Sequence, residues 1–155
     1  MTKNSKYRVY PHHPLVGVGI VLLNKDHVLL IKRGQEPALG KWTVPGGLVK
    51  IGETIHEAAK RELMEECGIA AALRDIIDVF EFIERDRNNE IKYHYIVVEV
   101  LASYEGGQVN ASSDAVDAKW CRLSEIDDAA CTSETKNLVR KAFAHEKSFN
   151  VLREC

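Results

Sequence analysis

Apolar and largely β-branched side chains fill residues 16–23 (VGVGIVLL), and a second apolar run at residues 27–33 (HVLLIKR) follows the polar turn Asn24-Lys25-Asp26. This order predicts a β-hairpin. A loop (EPALGKW) ends at a short extended piece, residues 42–44, which leads into Pro45 and the glycines. Residues 54–67 have helical composition with neither Pro nor Gly inside, and Gly68 supplies a C-terminal stop. Residues 74–85 and 91–104 read as two long strands joined by a polar tip at 86–90, a second hairpin. Residues 106–114 form a loop and 115–123 a short strand. Residues 133–147 are an amphipathic helix, with Ser133 as its cap and Glu134 in its first turn. A mixed sheet flanked by helices, of α/β or α+β type, is the expected fold.

Composition narrows the function classes. A length of 155 residues fits one domain, residues 1–155, with 1–14 as an N-terminal extension. The apolar fraction of 45% and formal charge of −2 describe an ordinary globular chain with no broad basic field, so nucleic acid is not an expected partner. No apolar run approaches the ~18 residues of a membrane span, and the first residues lack a signal-peptide core, so no membrane partner is expected. Cys67, Cys121, Cys131 and Cys155 lie far apart without zinc or redox spacing, which reads as free thiols in a reducing cytoplasm. The expected localisation is cytoplasmic.

The chemistry concentrates in VPGGLVKIGETIHEAAKRELMEECGI, residues 44–69. At about 100° per residue, Ile55, Ala58 and Ala59 fall within one arc of the helix, and Glu62 and Glu66 fall within the same arc. Those acids therefore share the core-facing stripe, with Glu65 close by. Like charges at these spacings repel, and a buried unpaired carboxylate costs several kcal/mol, so a proton, a basic partner or a metal must compensate. Arg61 can reach Glu57 or Glu65, four residues away in either direction, but points off the stripe and leaves Glu62 and Glu66 unpaired. Hard oxygen ligands without thiolate or imidazole favour Mg²⁺ or Mn²⁺ over zinc. Gly46 and Gly47 allow close approach of the backbone, and Gly52 a turn of positive φ ahead of the helix.

These residues resemble the Nudix box at every specified position: Gly47, Glu53, Arg61, Glu62, Leu63, Glu65, Glu66, Gly68 and Ile69, at the family's spacing. RGQEPALGKWTVPGG before the box and DAKWCRLSEI after the last loop are also similar to this family. The resemblance implies an α/β/α sandwich with a mixed sheet, and a metal-dependent hydrolase of a diphosphate linkage in nucleoside diphosphates joined to another group. It implies that Glu62, Glu65 and Glu66 ligate the metal with the Gly47 carbonyl joining them, and that Arg61 and Glu53 hold the box together. For the general base the resemblance implies a box acid or a downstream loop acid, which makes Glu66, Asp114 and Asp117, the last two ahead of Trp120, the candidates.

The substrate implied is a small nucleotide, with ADP-ribose or a related nucleotide sugar placed ahead of a nucleoside triphosphate hydrolysed in the manner of the sanitising members. The proline that marks ADP-ribose hydrolases beyond the box is absent, its place held by Glu84 and Arg85. Arg33 and Lys32, at the end of the second strand, are candidates for phosphate or ribose contact. Trp42 and Trp120 read as packed aromatics, His94 as packed or exposed, and Cys67 as no nucleophile, because neighbouring acids disfavour its thiolate. Two further readings stay open, a non-catalytic nucleotide-sensing module and a homodimer.

Overall fold

The computed structural model describes residues 7–154. Residues 1–6 of the expected extension and Cys155 lie outside the described residues. The chain runs β1 (Leu15–Asn24), β2 (His27–Arg33), β3 (Trp42–Thr43), β4 (Gly46–Leu48), α1 (Ile55–Cys67), β5 (Ala70–Arg85), β6 (Ile91–Gly106), β7 (Ala115–Arg122), a single 3₁₀ turn at Leu123–Glu125, and α2 (Ser133–Glu154). The strands form a seven-stranded mixed sheet in the order β3-β2-β1-β6-β5, with β4 also on β1 and β7 also on β2. β1 and β6 are parallel, from Leu15 opposite Tyr95 to Leu23 opposite Ser103. The hairpin pairs β1–β2 and β5–β6 are antiparallel, as the sequence predicts.

The unbroken apolar character of β1 and β2 follows from burial on both faces, which removes the need for polar alternation. Val18, Ile20, Leu22, Leu29 and Ile31 pack with Ala58, Ala59 and Leu63 of α1. Val21, Leu23, Val28 and Leu30 turn to the other side and pack with Leu138, Val139, Ala142 and Phe143 of α2. The sandwich therefore has α1 on one face of the sheet and α2 on the other.

Several details differ from the sequence reading. β5 begins at Ala70 rather than Arg74, because Ala71 and Ala72 pair with Tyr104 and Ser103 of β6 despite their weak intrinsic strand preference. Gly46 and Gly47, read there only as allowing close backbone approach, belong to strand β4 and pair with Gly19 and Val18 of β1. The cap of α2 is Thr132 and not Ser133, since Thr132 Oγ1 accepts from the Thr135 amide at 3.2 Å. α2 also continues beyond residue 147, where Phe149 lies under the Arg74 guanidinium at 4.7 Å.

The cap assignment is directly testable. Thr132→Ala is expected to lower stability by about 1 kcal/mol, whereas Ser133→Ala should stay within a few tenths. Urea denaturation of both variants decides it, and equal losses would contradict the assignment.

Candidate active site

The acidic helix is fixed at both ends before its carboxylates are placed. Thr54 Oγ1 accepts from the Glu57 amide at 3.1 Å, and Glu57 Oε2 accepts from the Thr54 amide at 2.7 Å, closing a capping box. At the other end Gly68, at φ 67°, takes the left-handed conformation that ends the helix. Glu57 is thus used by the cap and is not a partner of Arg61.

Arg61 is the hub. Its Nη2 donates to Glu53 Oε2 at 2.9 Å and to the Leu48 carbonyl at 3.0 Å, while Nε donates to the other oxygen of Glu53. Its Nη1 donates to Glu62 Oε1 at 2.7 Å and to Glu65 Oε2 at 3.2 Å. The pairing with Glu62 corrects the expectation that this acid is left alone. Adjacent helix positions do not face each other, but the guanidinium carries donors on all sides of a plane and reaches beyond its own arc. Glu66 stays apart from Arg61; it is only 4% exposed, and its Oε2 accepts from the Gly46 amide at 3.0 Å.

Two glycines make this approach possible. A Cβ on Gly47 would lie 2.3 Å from Glu62 Oε1, and one on Gly46 would lie 2.2 Å from the Val18 carbonyl oxygen. Gly52 has φ 87°, the expected left-handed turn ahead of the helix.

The electrostatics divide the acids. Hydrogen bonds from Arg61 and the Lys50 amide lower Glu53 to about 2. Burial raises Glu66 to about 8, opposed by the Gly46 amide and reinforced by the charge of Glu62. Burial also raises Glu62, against the pull of Arg61. Cys67 is pushed up to about 12, by burial first and Glu66 second, which keeps it a thiol.

Glu66, Gly46 and Gly47 open onto a cavity of about 690 Å³ that residues of β5, β6 and α2 also line. Arg33 and Asp114 line it; Lys32, Asp117 and His94 do not. Arg33 is steadied by donating to the Pro37 carbonyl at 2.7 Å, and Asp117 accepts from the neighbouring Ala118 amide. Trp42 lies under Lys119 and Trp120 packs edge-on against Tyr104, so both are packed aromatics. The cavity also holds Glu99 of β6, which the sequence reading passed over. The available signal was a lone acid within the apolar run IVVEVLA.

The donor set suits a hard divalent cation. Glu62, Glu65 and Glu66 offer only oxygen, and burial, which raises Glu62 and Glu66, takes from their charged forms the solvation that a cation would replace. Among the described residues no group of three His, Cys, Asp or Glu side chains forms a ready-made metal cage. An ion such as Mg²⁺, which uses few protein ligands and completes its shell with water and phosphate, does not require one.

Known proteins resemble this chain in sequence and in fold. A NUDIX domain model matches residues 13–142. The chain is 33% identical to the ADP-ribose pyrophosphatase of Methanocaldococcus jannaschii over 143 residues, covering 92% of this chain and 75% of the relative. It is 33% identical over 109 residues to the oxidized purine nucleoside triphosphate hydrolase of Danio rerio, covering 69% of this chain and 65% of that one. A similar solved structure is a bifunctional NMN adenylyltransferase/ADP ribose pyrophosphatase of Francisella tularensis, complexed with AMP and a manganese ion. Its TM-score is 0.69 at 26% identity, over 86% of this chain and 42% of that one. The chain belongs to the Nudix family, whose hydrolases depend on divalent metal, and it is a pyrophosphohydrolase of diphosphate linkages.

Two predictions follow from the electrostatics. In metal-free protein, Glu66 binds its proton more tightly folded, at about 8, than unfolded, near the ordinary 4.5. The folded state therefore holds more protons between those values, and stability falls as pH rises through that window. Glu66→Gln should abolish most of this decline, matching wild type near pH 5 and exceeding it at pH 9 by up to roughly 5 kcal/mol. Parallel pH profiles would count against the buried carboxyl. Arg61→Ala should cost about 3 kcal/mol or more, because it strands Glu53, Glu62 and the Leu48 carbonyl together. Denaturant midpoints without metal measure it.

Proposed function

We propose that the protein hydrolyses the diphosphate bridge of ADP-ribose or a related nucleoside diphosphate sugar, with Mg²⁺ or Mn²⁺ held by Glu62, Glu65, Glu66 and the Gly47 carbonyl. The observation that carries this reading is the buried carboxyl of Glu66 on the wall of a cavity of about 690 Å³. The relative from Methanocaldococcus jannaschii, named an ADP-ribose pyrophosphatase, supports the choice of substrate. A nucleoside triphosphate is the second reading, favoured by the similar Danio rerio hydrolase.

Bound at these carboxylates, the cation supplies Lewis-acid stabilisation of the charge on the diphosphate oxygens. The chain does the rest. Arg61 and Glu53 hold α1 against β4, so that Glu62, Glu65 and Glu66 keep their relative positions. Arg33 offers a fixed positive charge on the cavity wall for a phosphate oxygen. In the reaction a water oxygen bonds to one phosphorus, the bridging oxygen leaves with the other phosphate, and the water's proton passes to a carboxylate. No protein nucleophile is required.

The proton acceptor is assigned to a box acid, Glu66 first. Asp114 shares its cavity but belongs to the loop wall, and Asp117 lies outside the cavity. Glu66→Gln is expected to lower kcat about a hundredfold or more with the fold intact. Asp114→Asn and Asp117→Asn should stay within about tenfold of wild type. Single-turnover rates at saturating Mg²⁺, on a panel of ADP-ribose, other nucleotide sugars and nucleoside triphosphates, test both the substrate and the base. A hundredfold loss in Asp114→Asn without loss of metal affinity would move the base to the loop.

A further inference from the structure

Glu99 sits in the middle of an apolar stretch of β6 and is only 7% exposed. Its Oε2 has no hydrogen-bond partner among the described residues. Space has been cleared for it, since a Cβ on Gly19 of β1 would lie 2.0 Å from that oxygen. A buried carboxyl without a partner is destabilising, and an apolar residue of similar size would serve this strand better. Such a group is retained at a cost, and its place in the cavity identifies what meets it.

Glu99 lies in a row that begins at the acidic helix. Gly46, whose amide holds Glu66, is opposite Gly19, and Gly19 is opposite Glu99. Two strand spacings separate the Glu99 backbone from that of Gly46, about 10 Å, while the carboxyl, folded over Gly19, lies little more than one spacing, roughly 5 Å, from Gly46. Beyond Glu99 in the row comes Asp78 of β5. Lys141 of α2 lies 3.2 Å from Asp78 Oδ2, so this cation is engaged by Asp78.

The same cavity wall carries an aromatic ladder. Phe80 and Phe82 of β5 have ring centroids 6.5 Å apart, and Phe82 is 6.4 Å from Tyr95 of β6. All three line the cavity together with Glu99. Flat apolar rings beside a polar group lacking a partner form a receptor for a heteroaromatic base, which stacks on one and hydrogen-bonds to the other.

We propose that Glu99 is the base-reading residue of this cavity, its carboxyl giving one hydrogen bond to N1 of an adenine and accepting one from the N6 amino group. The inference rests on the substrate being an adenine nucleotide, as in the function proposed above. Guanine presents two donors at the corresponding edge and would require an ionised carboxylate beside the charge of Asp78. Burial and Asp78 both oppose that ionisation and raise Glu99 to about 7.

The test is binding of AMP, GMP and ribose 5-phosphate to the metal-free protein by calorimetry, with wild type, Glu99→Gln and Glu99→Leu. Wild type should bind AMP about tenfold or more tighter than GMP or ribose 5-phosphate. Glu99→Gln, whose amide still supplies one donor and one acceptor, should keep AMP affinity within about threefold. Glu99→Leu should lose about tenfold or more for AMP and nothing for ribose 5-phosphate, which has no base. Both variants should melt at or above wild type, and the near-isosteric Gln variant keeps the test valid if Leu disturbs the strand. Unchanged AMP affinity in Glu99→Leu overturns the proposal. So does a preference for GMP that Glu99→Gln abolishes, because that is the signature of a carboxylate reading guanine. A wild type that binds AMP through Glu99 yet leaves ADP-ribose intact refutes the proposed substrate alone. ADP-ribose turnover by Glu99→Leu with unchanged KM refutes the role of Glu99 alone.

Discussion

The guanidinium of Arg61 ties together three pieces of chain that would otherwise separate: the helix that carries it, the Leu48 carbonyl at the end of β4, and Glu53 in the intervening loop. On the helix itself it also binds Glu62 and Glu65. One fixed positive charge therefore offsets much of the repulsion in the acidic cluster while setting the distance between helix and strand. A lysine would not substitute, because its point charge lacks the planar fork that engages both oxygens of Glu53 and still reaches Leu48. Glu66 lies outside this network, and its position is instead set by the Gly46 amide. The separation matters chemically: the acid left without a cationic partner is the one whose proton affinity is raised most clearly, to about 8.

Much of this was legible from the sequence because it depends on local periodicity. The box spacing and the 100° rotation of a helix placed Glu62 and Glu66 on the buried stripe without knowledge of the sheet. The hairpins were legible for the same reason, since each is an apolar run, a polar turn and another run. The pairing of Arg61 with Glu62 was not, because a helical projection compares directions and ignores the length and donor geometry of the arginine side chain. Thr132 was missed as a cap because it precedes Ser133, an equally suitable residue, and only the observed amide contact separates them.

Glu99 illustrates a different limit. A strand buried on both faces shows no alternation, so the sequence of β6 does not reveal which neighbours a given side chain meets. Its environment is set by register and packing: Gly19 on one side, Asp78 on the other, and a cavity that α2 also lines. Each of these comes from a different part of the chain. Arg33 and Lys32 make the same point, since the strand register shifts between them and only Arg33 lines the cavity.

The glycines connect the two buried acids. Glycine is a poor strand residue, losing more conformational freedom on folding than any other, yet Gly19, Gly46 and Gly47 all occupy paired strand positions. Each leaves out a Cβ that would collide with a carboxylate or with the backbone that positions one. The strands thus give up intrinsic propensity so that Glu62 and Glu99 can lie close against main chain, and Glu66 can accept from it. The apolar layers on both sides of β1 and β2 supply the stability that makes these concessions tolerable. This division of labour explains why two buried acids without a basic partner, Glu66 of the acidic helix and Glu99 of β6, face one cavity.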